Sequence, residues 1–105
     1  MKTKAKAKNK AQYQVPLFNL GVISATPGAI EVLEKHGISA LSLLHRHQCG
    51  DCGEMCESDR EVHRRAIEFG QQQIHSAYHI NQTVKIWVVT TWNHWNTVVM
   101  LPSEY

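Results

Sequence analysis

From Val84 to Thr91 the chain reads Val-Lys-Ile-Trp-Val-Val-Thr-Thr, a nearly unbroken β-branched run. A strand of that kind is buried on both faces or lies centrally in its sheet, so whatever else the chain does, it must build a sheet around this segment. The neighbouring sequence supplies one. After Gly70 the period becomes two, with Ile74, Ser76 and Tyr78 alternating against His75, Ala77 and His79. Asn81-Gln82 reads as a tight turn, because Asn tolerates positive φ. Trp92-Asn93-His94-Trp95-Asn96 reads as a second turn, and Thr97 to Leu101 as a third strand that Pro102 stops. Trp87, inside the central run, is expected in the core. The C-terminal third is therefore a three-stranded antiparallel β-meander.

The preceding sequence is helical. Thr26 can cap a helix with Pro27 at its first position, where the missing N–H costs nothing, and Gly37 can take the left-handed conformation that ends it. Ser39 can cap a second helix, with Leu41, Leu44 and His45 on the inner face and Leu43 and Arg46 pointing elsewhere. Ser58 and Glu61 form a capping box for a third helix running to about Gly70. Val62, Ala66 and Phe69, with Ile67 beside them, are its expected core face, and Glu61 pairs with Arg65 on the outside. Leu17, Phe18, Leu20, Val22 and Ile23 read as an extended segment able to add an N-terminal strand. The expectation is an α+β fold: two to three short helices packed on the meander, with that added strand. A helix-turn-helix DNA reader is rejected, because the second helix is Leu-rich and lacks the Arg, Asn and Gln that read bases.

The 105 residues, 43% of them apolar, suffice for one domain with a modest core. We place it at residues 15–105, preceded by a disordered Lys-rich tail at residues 1–14. Lys2, Lys4, Lys6, Lys8 and Lys10 supply five of the eleven basic residues; beyond residue 10, six basic groups face nine acidic ones. The body is mildly acidic. The tail reads either as an arm on nucleic-acid phosphates or as a solubilising leader. No apolar run is long enough to cross a bilayer, no secretory leader pattern is visible, and three cysteines cannot all pair with one another. A cytoplasmic protein with no membrane partner is expected.

Two constellations stand out. His47, Cys49, Cys52 and Cys56 have the spacing of a zinc site: three thiolates and an imidazole satisfy tetrahedral Zn²⁺ and would brace the Gly- and acid-rich loop 48–57. Only one close Cys pair is present and acids alternate with the thiols, so no cofactor is expected and zinc is the alternative. Cysteine–histidine nucleophilic catalysis lacks an orienting third residue, and no catalytic residue is assigned. The second constellation is Trp92, His94 and Trp95, two tryptophans flanking a histidine in a turn. Aromatics there can anchor a partner or stack bases.

Several segments together resemble a family of small bacterial proteins carried on plasmids and described as plasmid-related. They are Leu20–Ala29, Arg46-His47 leading to Gly50-Asp51-Cys52-Gly53, Ile74–Tyr78, Lys85–Thr90 and Leu101–Tyr105. The likeness spans roughly residues 17–105. Where the family reads Gly-Asp-Trp-Gly this chain has Cys52, and where the family has a polar, acid-containing turn it has Trp92 to Asn96. The resemblance implies a mobile-element origin. The leading expectation is a non-enzymatic protein that docks on a larger host protein or complex, with an anti-CRISPR or anti-restriction inhibitor as the form a plasmid origin suggests. The alternative is a small zinc-braced nucleic-acid-binding module, and a third reading, from architecture alone, is a RelE-like ribonuclease toxin. An apolar sheet face wider than three short helices can cover would make the protein a homodimer.

Overall fold

The computed structural model describes residues 16–53, 57–69 and 72–105; the five tail lysines, the 1–14 tail boundary and Cys56 lie outside them. Strand β1 (Val22–Ala25) is followed by helices α1 (Pro27–Lys35), α2 (Ala40–Gln48) and α3 (Glu57–Phe69). Strands β2 (Ile74–His79), β3 (Lys85–Thr90) and β4 (Asn96–Met100) then lead into a 3₁₀ turn, Pro102–Glu104. The fold is α+β. Its sheet has four strands in the order β1-β4-β3-β2. The meander β2-β3-β4 is antiparallel and β3 is central, as the Val84–Thr91 run requires. The N-terminal strand is present and pairs with β4 in parallel, Val22 opposite Asn96 and Ala25 opposite Val99. A parallel pair needs a long crossover, and the three helices with strands β2 and β3 supply it.

All three helices pack on one face of the sheet. That face carries Ile74, Ser76, Tyr78, Ile86, Val88, Thr90, Thr97 and Val99, each fully buried. Ala29 and Leu33 of α1 and Leu43 and Leu44 of α2 close over Tyr78, Ile86, Val88 and Val99. Phe18 and Ala66 of α3 close over Ile74. Thr26 caps α1, its Oγ1 accepting from Ala29 N at 3.2 Å, and Ser39 caps α2, its Oγ accepting from Leu41 N at 3.2 Å.

Several details differ from expectation, and two share a cause. On α2 the inner face is Leu43, Leu44 and His47, while Leu41 is 72% exposed and His45 also faces out. On α3 the inner face is His63, Ala66 and Ile67, while Val62 and Phe69 face solvent. Each helix is rotated to bring a histidine inward, because the sheet offers hydroxyls to receive it. Helix α3 begins at Glu57, so Ser58 lies inside the helix and not ahead of it. Arg60 reaches back from its first turn to the Gly53 carbonyl at 3.0 Å. The β2–β3 turn is wider than a two-residue hairpin: Ile80 N donates to Val84 O, and Asn81 Oδ1 accepts from the N–H groups of Thr83 and Val84. Trp87 lies outside the main core, on the sheet face away from the helices. There it packs edge-on against His75 at 4.4 Å and Tyr105 at 5.5 Å between ring centres. Among the described residues no helix is long and apolar enough to cross a membrane.

Candidate functional site

The β3–β4 loop is built by its own polar residues. Thr91 N donates to Asn96 O at 3.0 Å and His94 N to Thr91 O at 2.9 Å. Asn93 Oδ1 accepts from Thr91 Oγ1 at 2.7 Å and from Trp95 N at 3.2 Å, the local side-chain turn that Asn favours. His94 adopts φ 61°, a left-handed backbone that lets the chain reverse between the tryptophans. From outside the loop, Val22 N donates to Trp95 O at 2.8 Å. The side chains divide sharply. Trp92 is 64% exposed and Trp95 71% exposed. His94 turns inward, its ring 5.5 Å from that of Phe18 and its Nε2 buried with no hydrogen-bond partner. Of the three expected contact residues, the tryptophans are displayed and His94 is tucked beneath them.

Gly21 lets β1 approach this loop. It has φ +69°, and a Cβ there would stand 2.2 Å from Trp95 O and 2.6 Å from His94 O. Both the backbone angle and the contact forbid a side chain. We expect Gly21→Ala to cost at least about 2 kcal/mol and to dislodge the loop. Urea unfolding measures the loss, and a change in tryptophan emission reports the loop; a loss below about 0.5 kcal/mol would contradict this reading.

The cysteine loop is pinned by charge and aromatic contacts. Arg46 Nε donates to Asp51 Oδ2 at 2.7 Å, the Arg46 guanidinium lies 4.4 Å over the Tyr78 ring, and Tyr78 OH donates to Asp51 O. Burial alone would raise the Asp51 carboxyl, but the Arg46 bond, the Gly53 N–H and the nearby guanidinium charges outweigh it and hold the pKa below the usual range. Cys49 and Cys52 are buried free thiols whose pKa burial pushes up, which makes them poor nucleophiles. Cys49 Sγ lies 3.8 Å from His45 Nε2. His47 is placed elsewhere: both its ring nitrogens are bonded to the sheet, so it is not a ligand for the cysteine loop. Among the described residues no three His, Cys, Asp or Glu side chains come together as a metal site.

The sequence reading missed the most elaborate feature, a polar chain crossing the buried face of the sheet. His63 Nε2 is 3.0 Å from Ser76 Oγ, which is 2.6 Å from His47 Nδ1. His47 Nε2 is 2.8 Å from Thr90 Oγ1, Thr90 is 2.7 Å from Thr97 Oγ1, and Thr97 donates to Leu20 O at 2.7 Å. Its direction follows from its end. A carbonyl only accepts, so Thr97 must donate to Leu20 and accept from Thr90. Thr90 then accepts from His47, leaving His47 Nδ1 to accept from Ser76. Ser76 in turn accepts from His63. As neutral rings both histidines carry the proton on Nε2, and each hydroxyl then donates once and accepts once.

Protonating His47 would set a second ring N–H against the Ser76 hydroxyl, a donor against a donor in a dry interior. Burial lowers the His47 pKa to about 3, with the charges His63 and His75 would carry adding to it; burial and His75 lower that of His63 to about 4. The Ser76–His47 pair has the bonding of an activated serine, but both side chains are fully buried, so no substrate reaches Ser76 Oγ in this packing. One signal could have revealed the chain in the sequence. Ser76, Thr90 and Thr97 share the core-facing period of their strands, and buried hydroxyls demand partners.

No protein-family model, no curated protein and no solved structure matches this chain. What the fold and the site define is an α+β domain with a polar-locked interior and a stiff aromatic loop at one end of its sheet.

Proposed function

We propose that the chain is a docking module that acts without chemistry of its own, gripping a larger protein through Trp92 and Trp95. One observation carries this reading: two tryptophans stand 64% and 71% exposed on a loop whose backbone is held by Asn93, Thr91 and the β1 approach. Exposed indole on a fixed backbone loses little entropy on binding, and tryptophan is the commonest anchor of interface hot spots. Neither the loop Thr91–Asn96 nor β1 contains a charged residue, which favours an uncharged, apolar pocket on the partner over a phosphate backbone. A plasmid-borne inhibitor of a restriction or CRISPR complex is the form of this reading that the sequence resemblance suggests.

The test is capture from a bacterial lysate with the full chain and with the double variant Trp92→Ala/Trp95→Ala, circular dichroism confirming that both fold. Truncating a hot-spot tryptophan weakens binding by about 30-fold or more, so the specific partner should vanish from the variant's capture set. Identical sets would remove the loop from the function. Salt-sensitive oligonucleotide binding that disappears when residues 1–10 are deleted would instead assign the function to the tail lysines.

A further inference from the structure

The two outer edges of the sheet are managed differently. The β2 edge is met at its centre: Ala77 N donates to Cys52 O at 3.1 Å, and Gly53 bridges Ala77. The β1 edge is not. In its parallel ladder Val22, Ser24 and Thr26 turn their backbone groups to β4, as the bonds from Val22 N to Trp95 O and from Thr26 N to Val99 O mark. The alternate residues Ile23 and Ala25 therefore aim N–H and C=O outward, and no described residue meets them. The devices that usually guard an edge are missing as well. Val22–Ala25 contains no charge, no proline and no bulge, and Val22 is 68% and Ile23 48% exposed.

We propose that two copies of this chain pair through β1, antiparallel about a two-fold axis at Ser24, into one continuous eight-stranded sheet built from the two four-stranded ones. The register follows from which groups are free. Pairing Ile23 with Ala25 of the second copy, and the reverse, is the two-fold register that matches both outward residues of the strand to each other, giving four new backbone bonds with the two Ser24 residues opposite each other.

The occupant is a second copy for two reasons. The strand needed must be short, apolar, uncharged and carry free groups at alternate positions, which is what β1 itself is. A two-fold pairing uses up the β1 edge of both copies, and Cys52–Gly53 sits on the middle of the other edge, so the assembly closes at two. In this register Thr26 and Pro27 of the second copy fall beside Val22 and Gly21. The surface this pairing covers is the edge backbone with the exposed parts of Val22 and Ile23, well below the about 800 Å² per partner of a standard interface. A reversible, concentration-dependent dimer is the consequence.

Light scattering on the full chain over a wide concentration range tests this, and should show a monomer–dimer equilibrium. Ile23→Lys places a charge on the edge without touching any bond within the chain, so it should leave only monomer with an unchanged circular dichroism spectrum. The opposed Ser24 pair is a non-hydrogen-bonded one with Cα atoms about 4.5 Å apart, within disulfide reach. Ser24→Cys in a Cys56→Ser background should therefore form a covalent dimer on mild oxidation. A single monomeric mass up to the solubility limit would overturn the proposal. So would a dimer that persists in Ile23→Lys and is not trapped by Ser24→Cys. Failure here is separable from failure of the docking reading, because Ile23→Lys leaves both tryptophans in place.

Discussion

His47→Leu is expected to destabilise the protein by about 3 kcal/mol or more, although leucine has nearly the right size and the right polarity for a core. The reason is the single direction of the buried chain. Removing the imidazole takes the acceptor from Ser76 and the donor from Thr90, both fully buried. Deleting a second member does not cure the defect: Ser76→Ala in the same background strands the Nε2–H of His63. The double variant should therefore be no more stable than the single one. At the far end Thr97→Val, which leaves the Leu20 carbonyl without its donor, should cost about 1–3 kcal/mol. Urea unfolding with unchanged slopes measures all three. A loss below about 1 kcal/mol for His47→Leu would mean the hydroxyls find other partners. For a domain of this size the expected loss is a large share of a total stability of about 5–15 kcal/mol.

The second large effect is on acid. His47 titrates near 6.5 when unfolded and near 3 when folded. A folded pKa depressed below the unfolded one means the unfolded state takes up the proton first. Stability is then full above pH 6.5 and is lost as pH falls through that value towards 3. At pH 5 the loss from His47 alone is about 2 kcal/mol, and His63 acts in the same direction down to about pH 4. The window distinguishes these rings from the paired carboxylates, whose contribution fades only nearer pH 4 and below. The urea midpoint should therefore drop measurably between pH 7 and pH 5, and His47→Leu should flatten that dependence. A flat profile in the parent chain would show that the rings are not held neutral.

These two effects concern the part of the molecule that was hardest to read from sequence. Strand positions and the central place of β3 were legible, because β-branched runs and a period of two leave few alternatives. The caps at Thr26 and Ser39 were legible because their chemistry is local. The faces of α2 and α3 were not. Counting only apolar residues turns α2 towards Leu41 and α3 towards Val62 and Phe69, and these are the residues left in solvent. A histidine becomes a core residue only when a hydroxyl waits on another strand, and no window along the chain contains both partners: His47 and Thr90 are 43 residues apart. The same limit applied to the cysteine loop, where spacing offered His47 as a ligand while the fold had already committed its nitrogens. The tryptophan loop was legible as an exposed aromatic turn, but the inward turn of His94 depends on Phe18, far back in the sequence.

The parallel seam between β1 and β4 also bears on how the polypeptide is born. Val22 lies opposite Asn96, so the first strand emerges from the ribosome long before the strand it needs. Until then its apolar residues and its outward amides are both bare, and β1 has neither a neighbour on one side nor a guard on the other. Contacts so distant along the chain form slowly. Translation speed and chaperone supply should therefore govern how much of this protein reaches its native state, and crowded synthesis of many copies at once is the condition under which nascent first strands would find each other before they find home.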